Sequence, residues 1–305
     1  MNPMLHLAPD VAAAVAERRP VVALESTVIS HGLPYPDNLA LATALEAIVR
    51  AGGATPATIG IVHGQVKIGL DADDLTLLAT APAVVKVSRR DVGAVIARRQ
   101  HGATTVAGTI MLAAMAGIRV MATGGIGGVH RATHGSWWDV SADLPELART
   151  PMVVVCAGAK AILDLPATLE WLETAGVPVV GYGTDELPAF YTRSSGLALE
   201  LRADDPASVA TLARAQWALG LPGAVLVAQP VPEGEAAPAE VIDRAIGQAL
   251  DEALVQGVQG KASTPFLLAR VAELTGGVSL RANLALLKNN ARLGAEIAVA
   301  LAAEH

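Results

Sequence analysis

Polar residues are scarce in this chain, and they gather where their types could do chemistry. Glu25 opens the run Glu25-Ser-Thr-Val-Ile-Ser-His-Gly-Leu-Pro-Tyr-Pro36 directly after apolar residues. A carboxyl group partly withdrawn from water suits general-acid work, and the plainer reading is a carboxylate that caps its loop. Lys86-Val-Ser-Arg-Arg-Asp91 leads on to His101-Gly-Ala-Thr-Thr-Val-Ala-Gly108. Basic residues before a Gly/Thr-rich helix start over 102–106 suit an anion such as a phosphate, without any Walker spacing. Surface basic residues beside an ordinary N-cap are the alternative. Thr123-Gly-Gly-Ile-Gly-Gly-Val-His130-Arg131 is a loop whose backbone can approach a ligand closely, although it is not a complete dinucleotide fingerprint.

Two further clusters complete the set. Trp137-Trp-Asp139-Val-Ser-Ala-Asp143 places two carboxylates around Ser141. Mg²⁺ and Mn²⁺ sites often take one or two protein carboxylates and keep several waters. Ser141 or Asp143 serves equally well as the N-cap of a short helix before Thr150. Cys156-Ala-Gly-Ala-Lys160 sets one of the few lysines (the others are Lys67, Lys86, Lys261 and Lys288) among Ala159, Ala161 and Ile162. Poor solvation favours a neutral amine, the form that attacks carbonyl-type carbon; a snorkelling structural lysine is the bland alternative. The loop that holds Phe190 and Tyr191 reads as a substrate lid or an interface loop. Cys156 has no His/Asn context and reads as a small core residue.

The elements that must position these groups alternate in the α/β manner. Short apolar runs predict strands over 21–24, 58–62, 84–87, 119–122, 152–156, 177–180 and 224–227, most of them apolar throughout, as strands covered on both faces are. Longer Ala/Leu-rich stretches predict helices over 38–51, 91–99, 105–116, 166–175, 206–219 and 238–255, with Pro166, Pro206 and Pro238 in first turns. A long helix closes the chain, its stripe running through Leu280, Leu284, Leu287, Ala291, Gly294, Ala298 and Leu301. Asn283 and Asn290 interrupt that stripe. The proline-bearing stretch 229–238 is too short to prove a boundary, so residues 1–305 read as a single domain. Ligands in α/β sheets bind beyond the carboxyl ends of strands, where all of these clusters lie.

Composition narrows the function classes. Of 305 residues, 52% are hydrophobic, 3% aromatic and 17% charged, and mean hydropathy is +0.44, which argues against general disorder. Area scaling gives about 12,000 Å² of exposed surface for a compact chain of this mass, with about 73% of the unfolded surface buried. A net charge of −7 leaves no basic footprint for nucleic acid. One cysteine excludes an internal disulfide and fits a reducing compartment. The longest run without Asp, Glu, Lys, Arg or His covers 102–118, short of the roughly 20 apolar residues that span a membrane. No basic-then-apolar leader is visible, and a cytoplasmic protein is expected.

Taken in order, these segments resemble the pseudouridine-5′-phosphate glycosidase family, also called indigoidine synthase A-like proteins. The resemblance runs from Ala23-Leu-Glu-Ser-Thr-Val-Ile-Ser-His-Gly-Leu-Pro to Asn283-Leu-Ala-Leu-Leu-Lys-Asn-Asn290. It passes through Lys86-Val-Ser-Arg-Arg-Asp, Gly-Ala-Thr-Thr-Val-Ala-Gly-Thr109, Thr123-Gly-Gly-Ile-Gly-Gly-Val-His-Arg, Asp139-Val-Ser-Ala-Asp, Ala-Gly-Ala-Lys160 and Thr184-Asp-Glu-Leu-Pro-Ala-Phe-Tyr-Thr-Arg-Ser-Ser-Gly196. It implies a three-layer α/β/α sandwich with a mixed, largely buried sheet and a helical C-terminus, assembled as a homotrimer.

It also implies a lyase-class enzyme that reversibly cleaves the C–C glycosidic bond of pseudouridine 5′-phosphate to uracil and ribose 5-phosphate. On that resemblance Lys160 is the nucleophile and Glu25 the proton donor. Asp139 is the ligand of Mn²⁺, with Mg²⁺ or another divalent cation as alternatives. Lys86, Val106, Ser141, Ala142, Asp143, Thr123, His130 and Asn283 bind substrate. Two other readings of the same residues stand beside it: a Schiff-base lyase or aldolase on another sugar phosphate, and a non-catalytic sugar-phosphate-binding regulator. Neither a nucleic acid nor a membrane is an expected partner.

Overall fold

The computed structural model describes residues 3–131, 139–258 and 260–303; Trp137 and Trp138 of the fourth polar cluster lie outside them. In chain order the first half carries β1 (Leu5–Leu7), α1 (Pro9–Ala16), β2 (Val21–Leu24), α2 (Thr27–His31), α3 (Asp37–Ala51), β3 (Thr55–Val62), β4 (Gln65–Ile68), α4 (Ala72–Thr80), β5 (Val84–Val87), α5 (Val92–Ala97), β6 (His101–Thr104) and α6 (Val106–Met115). The second half adds β7 (Val120–Ala122), β8 (Val129–His130), α7 (Asp143–Leu147), β9 (Val153–Cys156), β10 (Leu163–Asp164), α8 (Leu165–Thr174), β11 (Val179–Tyr182) and β12 (Leu201–Ala203). It ends with α9 (Pro206–Ala218), β13 (Val225–Ala228), α10 (Ala239–Val255), α11 (Ser263–Leu274) and α12 (Val278–Ala302).

The main sheet runs β1-β4-β3-β2-β7-β9-β13-β11-β12, with β6 joined to β3 and β5 to β6. From β3 through β12 along this path every pairing is parallel; β4 and β6 meet β3 antiparallel. β2, β9 and β13 are buried at every residue, which their unbroken apolar sequences require: helices cover both faces. On one face α12 lies against β2, β7 and β9, flanked by α3 and α9; elsewhere α6 packs on β2 and β3 and carries α7. The chain is thus an α/β/α sandwich around a mixed, mostly parallel sheet. Its accessible surface of 13,164 Å² is close to the area-scaling expectation.

The expected strands all form, with ends shifted by a few residues. Two expectations are corrected. Residues 102–104 do not open a helix but belong to β6, because Ala103 and Gly102 pair with Gly60 and Ile61 of β3 on one side and with Lys86 and Val85 of β5 on the other. The helix starts at Val106, with Thr105 as the N-cap whose side chain accepts from Gly108 N. The helix before Thr150 begins at Asp143 with Ala142 in the N-cap position, so neither Ser141 nor Asp143 is its N-cap. Ser141 Oγ still accepts from Asp143 N, at 3.2 Å.

Gly294 sets how closely α12 lies on the sheet. A Cβ there would stand 3.1 Å from Ala122 Cβ and 3.5 Å from Val22 Cγ1, whereas Gly247, on the exposed face of α10, has nothing within 4 Å. Two helical glycines therefore respond oppositely to substitution. Gly247→Ala is expected to stabilise the protein by about 0.5–1 kcal/mol by removing backbone freedom. Gly294→Leu is expected to destabilise it by about 1–3 kcal/mol through overpacking against β2 and β7. Urea unfolding of both variants beside the unmodified chain checks the pair.

Candidate active site

The parallel register brings the chemistry together. Leu24 pairs with Ala122, and Ala122 with Val155, so Glu25 and Thr123, just past the ends of β2 and β7, stand in one row with Cys156, the last residue of β9. The loops keep pairing beyond the sheet: Thr123 N donates to Val155 O at 2.9 Å, Ala157 N to Gly124 O at 2.9 Å, Ile126 N to Gly158 O at 3.1 Å and Lys160 N to Ile126 O at 3.1 Å. Lys160 therefore hangs from the glycine-rich loop. A short antiparallel pair, His130 opposite Leu163, fixes the far side of the same loop. Arg131 braces it by donating to the carbonyls of Leu163 and Ala161, each at 3.2 Å.

Past these strand ends lies a cavity of about 580 Å³, within the range of small-molecule sites. Glu25, Lys86, Val106, His130, Asp139, Ser141, Ala142, Asp143, Lys160 and Asn283 all line it. Thr123 sits behind the wall, 2% exposed, and its hydroxyl donates to Glu25 Oε1 at 2.5 Å. Thr27 Oγ1 donates to the other oxygen, Oε2. Both carboxylate oxygens of Glu25 are thereby oriented. Among the described residues Lys160 has no carboxylate within ion-pair distance, which leaves its amine directed at whatever enters the cavity.

The Lys86 corner has the makings of an anion site. Of the N–H groups that open α6, Ala107 donates to Asp143 Oδ1 at 2.9 Å, Gly108 to Thr105 Oγ1 at 3.3 Å and Thr109 to Thr105 O at 2.8 Å. Among the described residues the Val106 N–H alone of this turn has no protein acceptor, and Val106 lines the cavity. A helix N-terminus with a spare donor beside Lys86 and Arg90 suits a phosphate. Asp143 plays a different part. Its second oxygen accepts from Gly127 N at 2.8 Å, so both oxygens serve the backbone that surrounds the cavity.

His130 and Asp139 face each other, Nδ1 to Oδ2 at 3.9 Å, and His130 N donates to Asp139 O at 2.9 Å. Burial pushes the His130 imidazole below its ordinary value; Asp139 pulls it back up, and the charges of Lys160 and Lys86 push it down again. Burial likewise raises the Cys156 thiol, to about 12, which confirms it as an inert core residue and not a nucleophile.

In the loop around Phe190 and Tyr191 these two residues are buried, both 2% exposed, with their rings edge to face at 4.7 Å; Phe190 lines the cavity, whereas Asp185, Arg193 and Ser194 of the same loop are exposed. Phe190 takes φ +65°. Gly124 and Gly125 of the glycine loop line the cavity, and the loop is at the same time close-packed against protein. A Cβ on Gly125 would come within 2.6 Å of the Phe190 ring, and one on Gly127 within 2.6 Å of Ser141 Cβ. Of the three asparagines in α12, only Asn283 lines the cavity. Asn290 is fully buried and donates to Thr123 O at 2.8 Å, holding the loop that holds Glu25. Thr27, His31, Ser88 and Arg90 also line the cavity and were not singled out from sequence. Their positions within the first and second polar runs were the available signal.

Comparison with known proteins now adds to the geometry. The family model described as indigoidine synthase A like protein matches residues 10–300. The chain belongs to that family.

A relative from Chloroflexus aurantiacus is 58% identical over 97% of this chain and 98% of its own, and one from Paracoccus denitrificans is 56% identical over 99% and 100%. Both are named pseudouridine-5′-phosphate glycosidase. Among solved structures of indigoidine synthase A-like relatives, one from Thermotoga maritima superposes with a TM-score of 0.89 at 36% identity, covering 98% of this chain and 96% of that one. The prealnumycin C-glycosynthase AlnA, solved with ribulose 5-phosphate, superposes with a TM-score of 0.91 at 42% identity, covering 99% and 98%.

Three histidines make the fold acid-sensitive. His31, His101 and His130 are all held below 6.5, each first by burial, so the unfolded chain binds protons before the folded one does. Stability is complete above pH 6.5 and falls as pH drops from there toward the lowered folded values. The urea midpoint is expected to be lower at pH 5.5 than at pH 7.5, and His130→Asn to flatten part of that slope. An unchanged midpoint between the two pH values contradicts this account.

Proposed function

We propose that this chain is a C-glycosidase that cleaves pseudouridine 5′-phosphate reversibly to uracil and ribose 5-phosphate. The observation that carries the reading is Lys160: an amine without a carboxylate partner among the described residues, sharing one cavity with an oriented Glu25 carboxyl and an anion corner. The names of the relatives and the sugar phosphate bound by AlnA support the same reading.

The residue types suit the reaction. Uracil carbon is a poor leaving group, so the sugar must be prepared before the C–C bond breaks. Glu25 gives its proton to the ribose ring oxygen, which opens the ring. Lys160, as a neutral amine, forms a bond to the anomeric carbon. Its nitrogen lone pair then forms the C=N bond while the C–C pair leaves with the uracil carbon, which takes up a proton. Water adds to the resulting iminium, releasing ribose 5-phosphate and the free amine. An oxygen nucleophile would stabilise that cation less well. Lys86, the Val106 N–H and the Ser141-Ala142-Asp143 segment hold the phosphate end, while Thr123 steadies Glu25, and His130 and Asn283 face the remainder of the substrate.

Asp139 suits a divalent cation of the Mn²⁺ or Mg²⁺ type. Its half-exposed carboxylate lines the cavity, and no cluster of three or more His, Cys, Asp or Glu ligands forms among the described residues. One carboxylate with waters fits such a hard, water-rich ion and not a zinc-type cage. When bound, the ion supplies positive charge that organises ligand oxygens and waters. The reading includes a homotrimer and a cytoplasmic location, the latter supported by the free Cys156 thiol. Among the described residues no helix is long and apolar enough to cross a membrane.

Purified protein with Mn²⁺ and pseudouridine 5′-phosphate is expected to release uracil, and borohydride to trap a ribose-phosphate adduct on Lys160. Lys160→Ala is expected to abolish turnover while circular dichroism and the unfolding midpoint stay near those of the unmodified chain. Normal turnover in that variant removes the covalent route. An adduct from ribose 5-phosphate without uracil release points to a lyase or aldolase on another sugar phosphate, and neither signal to a binding protein.

A further inference from the structure

Arg89 grips Glu146 with both prongs of its guanidinium: Nε donates to Oε2 and Nη2 to Oε1, each at 2.6 Å. The Glu146 side chain is 2% exposed and the Arg89 side chain 47%. Thr150 Oγ1 adds a third bond to Oε1, at 2.7 Å. A buried carboxylate is costly unless paired, and here it sits in α7 one turn from Asp143, near the corner that suits a phosphate. An anion in that place opposes a dianionic ligand. Its presence calls for a compensating role, and what the pair joins supplies one.

Arg89 directly follows the Lys86-Val-Ser88 segment at the end of β5, while Glu146 follows Ser141-Ala142-Asp143 by one helical turn. The first segment is tied to α6 through Ser88 Oγ and Thr105 Oγ1 at 3.0 Å and through Thr105 N and Val87 O at 2.9 Å. The second is tied to α6 and to the glycine loop through the two oxygens of Asp143. The Arg89–Glu146 fork closes this ring between the two cavity walls, and neither residue lines the cavity itself. We propose that the pair is a positioning device: it sets the spacing between Lys86–Ser88 and Ser141–Asp143, and through it the affinity for the phosphate end of the ligand. The inference deepens the functional reading above and rests on it.

Substitution of Glu146 by Gln separates positioning from simple electrostatics, because the two predict opposite signs. Removing an anion near a dianion should tighten binding if charge alone matters; loosening the fork should weaken it if spacing matters. Calorimetric titration with ribose 5-phosphate is the first readout, and KM and kcat with pseudouridine 5′-phosphate the second. For both Glu146→Gln and Arg89→Lys, which keeps the charge but loses the fork, we expect binding weaker by about tenfold and KM raised to match, with kcat held within about threefold. Thr150→Val, which leaves the fork intact, should bind as the unmodified chain does.

Tighter binding in Glu146→Gln, equal binding in all variants, or the same loss in Thr150→Val overturns the proposal. So does failure of Arg89→Lys to fold, which would make the pair a folding element only. If the unmodified chain does not bind ribose 5-phosphate, the functional reading fails before the pair is tested.

Discussion

Three parallel neighbours held in register govern this molecule. Because β2, β7 and β9 are adjacent in the sheet and in register, Glu25 and Thr123 must emerge beside Cys156, the last residue of β9. Side chains alternate across a strand, so a one-residue slip in any of the three would turn its last residues to the opposite face. The apolar completeness of β2 and β9 gives little hint of register, since every residue is buried whichever face it takes. Register is instead pinned beyond the sheet, where Ala157, Ile126 and Lys160 donate in turn across the paired loops. The candidate nucleophile is thus placed by backbone hydrogen bonds, the least adjustable contacts in the fold.

With the backbone fixed, the polar side chains divide into those spent on holding the site and those left facing the cavity. Asp143 and Asn290 belong to the first kind: Asp143 spends both carboxylate oxygens, and Asn290 its Nδ2, on main-chain groups of the cavity wall. Glu25, Lys160 and the Val106 N–H belong to the second. This division explains how a chain with a net charge of −7 can offer a corner to an anion. The Asp143 charge is met by two N–H donors and that of Glu146 by a guanidinium fork, so neither carboxylate stands uncompensated near Lys86 and the Val106 N–H.

Much of this was legible in the sequence, and the unread parts share a cause. Strands that are apolar throughout and helices with proline-marked starts declare themselves through local pattern, and so do the polar runs that follow the strands. What local pattern does not carry is pairing. His101–Thr104 looks like the mouth of a helix because Gly and Thr favour such positions, yet β3 and β5 offer it hydrogen bonds on both edges. Glu146 and Arg89 stand 57 residues apart, and each alone reads as a surface charge. Asn283 and Asn290 both break the same stripe. Only the tertiary structure shows that one faces the cavity and the other is locked behind it.

The glycine loop shows how these contacts converge. Four glycines after β7 let the backbone come close to a ligand, and Gly124 and Gly125 do line the cavity. At Gly125, Gly127 and Gly128, however, the space a side chain would need is already taken by Phe190, Ser141 and Thr168. These positions carry no side chain so that the Phe190 ring and the Ser141–Asp143 segment can close on the loop from two sides. Phe190 accepts a left-handed backbone, uncommon for a bulky residue, to reach that position. Such strain persists only where surrounding contacts outweigh it. Its location beside the loop that carries Lys160 indicates what those contacts protect: a rigid wall against which the Lys160 amine and the Glu25 carboxyl keep their separation across the cavity.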